Sequence, residues 1–290
     1  MGTATLVLTL LAFSLTPPSP SYAATLTVCA SGCYTTIAAA IAAANAGDTI
    51  SITDAVHTEA GITVNKTLTI QGQGAANTAV NGNKAGSVFI VNFGVTATIQ
   101  DMTIQNGSAP AFGGGGILNY GTLTISNSTL SGNSADAGGG IFNFYGGGAT
   151  ISNSTLSGNS SNFGGGIYNF DGGTAAISNS TLSGNSATYD GGGILNNGHG
   201  TVTISNSRLS GNSASGAYYA SGGGIFNSGT ATISNSTLSD NRATYYGGGI
   251  YNNYYGGGTV TIRNTHALGQ LRHLVLWRRH LQRRQHSYDQ

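Results

Sequence analysis

Six copies of Gly-Gly-Gly-Ile-x-Asn punctuate residues 114–252, and a Thr-rich stretch ending in Ile follows each within about a dozen residues. Self-similarity at a period of roughly 20 to 50 residues marks a solenoid, in which every repeat is one supersecondary unit that buries its apolar face only against its neighbours. The marker Ile recurs at 99, 125, 151, 177, 204, 233 and 262, with spacings of 26, 26, 26, 27, 29 and 29 residues. A length of 290 residues could hold two globular domains, but an uninterrupted repeat over residues 86–265 argues for one elongated unit.

Within a block such as Gly138 to Asn159, Thr-x-Thr-Ile-Ser-Asn and its variants alternate polar and apolar residues, which places Ile on one face of a strand and the Thr hydroxyls on the other. A coil of about 26 residues then holds three short strands. Between them lie Gly, Asn and Ser, residues suited to sharp corners. Successive coils pair in parallel at roughly 4.8 Å. Such stacking aligns Asn133, Asn159, Asn185, Asn212 and Asn241 in one row and Asn127, Asn153, Asn179, Asn206 and Asn235 in another. Amides in rows can hydrogen-bond along the axis, so these Asn read as structural ladders and the Asn-Ser-Thr triplets as a by-product of the repeat rather than glycan acceptors.

The composition supports a packed solenoid. Only 7% of residues are charged, against 47 Gly and 4 Pro, which is unlike a disordered chain. Residues 5–15 form an apolar stretch too short to span a bilayer and lead to Ser21-Tyr22-Ala23, so residues 1–23 read as a secretory signal. A basic n-region is missing from Met1-Gly2-Thr3-Ala4, which places the true start codon in question. Cys29 and Cys33 are the only cysteines, and in an exported chain they are expected to close as a disulfide. A single pair lacks the four ligands of structural zinc, so no metal is expected.

Residues 24–85 are expected to form an N-terminal cap and the first coils. They comprise a strand over 25–29, an Ala-rich helix over 35–46 with Thr35 or Thr36 as N-cap and Gly47 as C-cap, and strands over 48–53, 61–65 and 66–71, and a strand over 87–92 follows at the start of the repeat region. Ile37 and Ile41 lie one helical turn apart and can cover the open end of the first coil. The fold class expected is therefore all-β, a right-handed single-stranded parallel β-helix with a short N-terminal capping helix.

Gly164 to Ile167 with Leu156 to Asn159 carries a family resemblance. The pairing of Gly-Gly-Gly-Ile with Leu-Ser-Gly-Asn resembles the Gly-Gly-Ala-Ile and Phe-x-x-Asn repeats of bacterial polymorphic outer membrane proteins, with Ala replaced by Gly and Phe by Leu. The chain as a whole looks like a right-handed parallel β-helix of the pectin-lyase-like superfamily, over roughly residues 86–264. Residues 34–74 also resemble the opening of many exported β-helices, through Ala-Gly-Asp-Thr-Ile at 46–50 and Lys-Thr-Leu-Thr-Ile at 66–70. The resemblance implies outer-membrane association and adhesion; the motif itself specifies a coil rather than a reaction.

From His266 onward the composition breaks. The tail holds five of the ten basic residues and the only Trp, whereas the preceding chain has five basic residues against eight acidic ones. At face value it is a cationic amphipathic helix. Back-translated and read one base later, however, permitted codons spell Thr-Leu-Ser-Gly-Asn from His266 to Gln270 and continue through a complete Gly-Gly-Gly-Ile-Tyr-Asn repeat. Its closing Ile falls at the slot of Asp289, 27 residues beyond Ile262. Residues 266–290 are accordingly expected to be an out-of-frame tail, with a longer natural product.

Candidate chemistry is sparse. Enzymes on such a scaffold need carboxylates, or carboxylates with Lys, Arg or calcium, converging on one groove. Asp136 and Asp190 share a loop position two coils apart and read as solvated loop residues; Arg208, Arg242 and Arg263 occupy different slots; His57 and His199 read as isolated. No catalytic residue, cofactor or metal site is expected. The Gly runs lack a following Lys-Ser or Lys-Thr and the strand-loop-helix context of a phosphate loop, and they lack the Asp of calcium-binding β-rolls, so corner packing explains them. Tyr189, Tyr218, Tyr219, Tyr245, Tyr246, Tyr254 and Tyr255 cluster in loops beside the Gly triplets, where they suit contact with sugars or a protein but equally stack on one another. Thr-x-Thr pairs at 67/69, 96/98, 122/124, 201/203, 230/232 and 259/261 form an array that could organise water as an ice-binding face, interrupted by Gly148 and Ala176; Thr is also simply a good exposed strand former. The function expected is an exported, non-enzymatic structural or adhesive protein, secreted or at the cell surface, with glycans or matrix proteins as partners and no nucleic acid. The alternative is a fragment of a carbohydrate-active β-helix enzyme whose site lies in a missing C-terminal part.

Overall fold

The computed structural model describes residues 23–253 and 256–268. Residues 1–22 of the expected signal segment, Tyr254, Tyr255 and the tail beyond residue 268 lie outside the described residues. The rest is a parallel solenoid of about nine turns with a single short helix. Every strand pairing is parallel, each strand bonding to its counterpart one coil away, and the pairings sort into sheets of 10, 9, 6 and 8 strands.

Four faces replace the three strands expected per coil. One full turn reads Thr174–Ser178 on the first face, Thr181–Ser183 on the second, Ser186–Ala187 on the third and Ile194–Asn196 on the fourth. The third face is not visible in the sequence because its strands, two to four residues long, have too little alternation to display. Its corners explain it: Gly184 (φ +61°) turns the chain out of the second face and Gly191 (φ +70°) turns it toward the fourth.

Register holds from coil to coil, with Ile99, Ile125, Ile151, Ile177, Ile204 and Ile233 directly opposite one another. All six are at most 1% exposed and belong to one continuous apolar cluster running from Val28 to Ile250. Each such Ile contributes about 1.5–3 kcal/mol of burial. Ile262, the last of the row, is 37% exposed.

The capping helix is shorter than expected, Ile37–Ala43. Thr36 accepts from the Ala39 N–H as N-cap, and Ala44 rather than Gly47 closes the helix. Gly47 instead bends the chain (φ +94°) into the strand Thr49–Ile52. Ile37, Ala40 and Ile41 are buried in the core cluster, so the helix packs over the first coils. Two strands of the second face, Val56–Thr58 and Ala79–Asn81, were not anticipated. At the other end His266–Leu268 pairs with Thr237–Ser239, so His266 faces Thr237, Ala267 faces Leu238 and Leu268 faces Ser239.

Candidate functional site

Three rows of polar side chains run inside or along the corners of the prism. In the first, the Nδ2 of Asn133, Asn159, Asn185 and Asn212 donates to the Oδ1 of the next Asn at 3.0, 3.0, 3.0 and 2.9 Å, ending at Asn241. The same Oδ1 accepts the preceding coil's Asn backbone N–H, as Asn159 does from Asn133 at 3.1 Å. All five side chains are buried. The second row is the Asn of the Gly-Gly-Gly-Ile-x-Asn motif, which the sequence reading left without a role: Asn119, Asn143, Asn169, Asn196, Asn227 and Asn252 are linked at 2.6 to 2.8 Å. The third is Ser128, Ser154, Ser180, Ser207 and Ser236, each of the first four donating its backbone N–H to the next hydroxyl at 3.1 Å. Together they satisfy polar groups that would be costly to bury alone.

The row Asn127, Asn153, Asn179, Asn206 and Asn235 is not such a ladder. These residues are exposed and hold the left-handed backbone, with φ between 48° and 50°, at the corner between the first and second faces. Asn127 donates outward to the Asp101 carboxylate at 3.1 Å. Asn tolerates this backbone region, which is why it recurs there.

The Gly triplets sit where neighbouring coils approach most closely. A Cβ on Gly139 would lie 2.5 Å from the carbonyl oxygens of Gly165 and Ser160, and one on Gly140 2.6 Å from that of Gly166. Cys29 and Cys33 are joined as a disulfide, with their Cα atoms 5.7 Å apart.

His57 is not isolated. It is buried, with Nε2 2.9 Å from Glu59 Oε2 and Nδ1 3.3 Å from Asp54 Oδ2. Glu59 also accepts the Ile37 and Ala38 N–H groups at the helix N-terminus, and Asp54 accepts the Ala30 N–H within the disulfide loop. The hydrogen bond that His57 gives to Glu59 chiefly raises the His57 pKa against the opposing effect of burial, and the bond to Asp54 adds to it. Burial pushes Glu59 up, but His57 and the two backbone N–H groups outweigh it and hold the carboxyl below its ordinary value. His199 lies elsewhere, at an exposed corner with φ 63°.

Asp136 accepts from Asn162 of the next coil at 2.8 Å. Asp190 is half-buried rather than solvated; burial pushes it up to about 6 even though it accepts the Ser221 N–H at 3.0 Å. No hydrogen bond or ion pair joins the two, and among the described residues the ion pairs are those of His57. Arg208 bonds Ser210 at 3.2 Å, and Arg242 and Arg263 stand on different faces. Among the described residues no three His, Cys, Asp or Glu side chains are grouped to hold a metal, and no helix is long and apolar enough to cross a membrane.

The tyrosines divide by environment. Tyr189 stacks on Phe163 at 5.0 Å; Tyr219, Tyr245 and Tyr246 form an edge-to-face chain at 5.3 and 4.4 Å; Tyr246 also stacks near Tyr251. Tyr218 is 76% and Tyr219 72% exposed. A second ring array went unnoticed in the sequence: on the fourth face Phe142 stacks on Phe144 and Tyr168, and Phe144 on Phe170, at 4.9 to 5.6 Å. The signal was present in the variable residue of Ile-x-Asn, which is Phe142, Tyr168, Phe226 and Tyr251 in four coils.

The pattern of the family described as right handed beta helix region matches residues 67–227, more than half of the chain. The chain belongs to that right-handed β-helix family. Its backbone is similar to that of pectate lyase Pel9A, with a TM-score of 0.53 at 17% identity over 80% of this chain and 70% of that one. It is also similar to Escherichia coli YbhC, with a TM-score of 0.53 at 13% identity over 88% of this chain and 90% of the other. Pectin methylesterase PemA from Erwinia chrysanthemi aligns at a TM-score of 0.41 and 13% identity, over 89% and 94% of the two chains. At these identities the likeness to Pel9A and YbhC is one of fold alone, that of a right-handed β-helix. No curated protein sequence matches the chain.

Proposed function

We propose that this protein is an exported, non-enzymatic β-helix, secreted or held at the cell surface, that serves as a structural and adhesive surface, with repeats of the polymorphic outer membrane protein kind. The observation that carries the reading is the ring cluster Tyr219, Tyr245 and Tyr246 together with the exposed Tyr218 that adjoins Tyr219 in the chain, flat half-apolar faces with hydroxyls on loops of the stack. The dispersed charges support it, since Asp136 and Asp190 each have a local hydrogen-bond partner and share none. The test is binding of the full chain to glycan arrays and to matrix proteins, beside a variant with the four tyrosines changed to Ala. Binding lost in the variant is expected; no binding to any glycan or matrix protein by the folded protein would overturn the reading.

The second reading, a carbohydrate-active enzyme, is favoured by the structural likeness to a pectate lyase. It predicts clustered Asp, Lys or Arg in the sequence downstream of a corrected frame. We also infer that residues 266–290 are translated out of frame. Supporting this, His266, Ala267 and Leu268 face Thr237, Leu238 and Ser239, and these are the residues that the shifted frame spells at the three positions. Resequencing across the codons for Asn264 and Thr265 is expected to reveal a shifted base. An intact frame together with detection of the tail peptide by mass spectrometry would refute it.

A further inference from the structure

We propose that the first face of the prism binds ice. The register shows a more complete array than the Thr-x-Thr motif alone discloses. One outward row runs Thr25, Thr49, Thr69, Thr98, Thr124, Thr150, Ala176, Thr203, Thr232 and Thr261 across all ten strands, with a single interruption. Beside it runs Thr96, Thr122, Gly148, Thr174, Thr201, Thr230 and Thr259, also with one interruption. The two gaps fall in different rows and in adjacent coils, so no coil from residue 96 to residue 263 lacks a threonine on this face.

The array is regular in two directions. Along the axis, neighbouring threonines are about 4.8 Å apart; along a strand, the two rows are about 6.6 Å apart, twice the rise per residue. Over seven coils the paired rows extend about 29 Å. Regularity survives because the inner Asn, Ser and Ile rows lock each strand opposite the same residue of the next, which suppresses the slippage and twist of a free sheet. Threonine is stiff at χ1, so each hydroxyl and methyl is held in place without a large ordering cost. None of the six Thr of the second row, and none of the Thr of the first row from 98 to 261, donates to or accepts from another described residue through its hydroxyl, which leaves these groups to water. The strands from Thr96–Gln100 to Thr230–Ser234 carry no charged residue that would hold a mobile hydration shell.

A ligand for this face must itself be neutral, periodic in two directions and able to hydrogen-bond at every site. Fixed hydroxyls and methyls repeating in two directions can order a layer of surface water, and water already ordered joins a growing crystal with little further immobilisation. A crystalline polysaccharide is also periodic, but its flat faces call for aromatic platforms, and no strand of the first face from Thr96–Gln100 to Thr230–Ser234 carries an aromatic residue; the exposed rings of Phe93 and Tyr145 stand off this face, at its corner with the fourth. This inference is independent of the adhesive reading.

Thermal hysteresis and inhibition of ice recrystallisation by the purified full chain test it. A hysteresis gap with faceted crystals is expected. Thr203→Lys and Thr124→Lys, both on exposed or half-exposed positions, are expected to abolish it while circular dichroism and Tm stay unchanged. Filling the gaps should act in the other direction: Gly148→Thr, whose Cβ meets nothing nearer than Thr174 Oγ1 at 3.6 Å, together with Ala176→Thr, is expected to widen the gap. Folded protein without hysteresis or recrystallisation inhibition would overturn the proposal, as would activity that survives both Lys variants. Retention on crystalline cellulose with no effect on ice would overturn it in favour of a polysaccharide.

Discussion

A single asparagine in this fold does the work of two kinds of hydrogen bond. Asn159 accepts the backbone N–H and the amide of Asn133 and donates to Asn185 and to the Leu130 carbonyl. Asn159→Leu strips the Asn133 N–H of its acceptor in a buried corner, and chemical denaturation is expected to show a loss of about 2–4 kcal/mol, from one or two unsatisfied buried groups at about 1–3 kcal/mol each. Asn153→Ala, at the exposed corner, removes only a residue suited to φ 49° and is expected to cost less than half as much. The sequence displayed these two rows as equals, because periodicity reports which residues stack but not which way a corner side chain points. His57 was equally opaque: Asp54 and Glu59 flank a three-residue strand, and only folding brings both carboxylates to the ring and links them to the disulfide loop and the helix. The pH dependence follows from the signs. His57 has its pKa raised above 6.5, so its contribution is complete below that value and is lost as pH rises through the folded pKa. Glu59 has its pKa lowered from 4.5, so its contribution is present above that value and is lost as pH falls through the folded pKa. The protection of the Ile37 and Ala38 amides, taken relative to intrinsic exchange at each pH, is expected to be greatest between about pH 4.5 and 6.5 and to fall on either side. In His57→Gln the alkaline limb should vanish; a profile unchanged by that substitution would contradict the linkage of His57, through Glu59, to the helix N-terminus.

At the scale of the element, glycine decides where a strand can begin. The triplet before each Ile-x-Asn strand lets the third-face corner of one coil touch the next, and Gly139→Ala is expected to cost about 1–3 kcal/mol by overpacking against carbonyls that cannot move without breaking ladder bonds. Gly158 provides the contrast. It has φ +61° with open space around it, so Gly158→Asn is expected to leave Tm nearly unchanged. Equal effects of the two substitutions in thermal melts would refute the packing argument. The long, alternating strands of the first face were legible because Thr and Ile mark opposite sides. The two- to four-residue strands of the third face and the ends of the capping helix were not, since tertiary pairing rather than local pattern creates them.

Taken whole, the molecule is a stack in which one coil's requirements recur in the next, so its surface offers rows rather than pockets. That architecture was readable from the spacing of Ile alone, while the chemistry of the rows depended on which side chains the corners turn inward. The account rests on parallel, in-register stacking, and pulsed electron spin resonance tests it most directly. Spin labels placed at Thr122 and Thr230, 108 residues apart in sequence and four coils apart in the stack, are expected to give one narrow distance centred at about 19 Å, four steps of roughly 4.8 Å. A broad distribution, or a narrow one centred well away from that value, would contradict it.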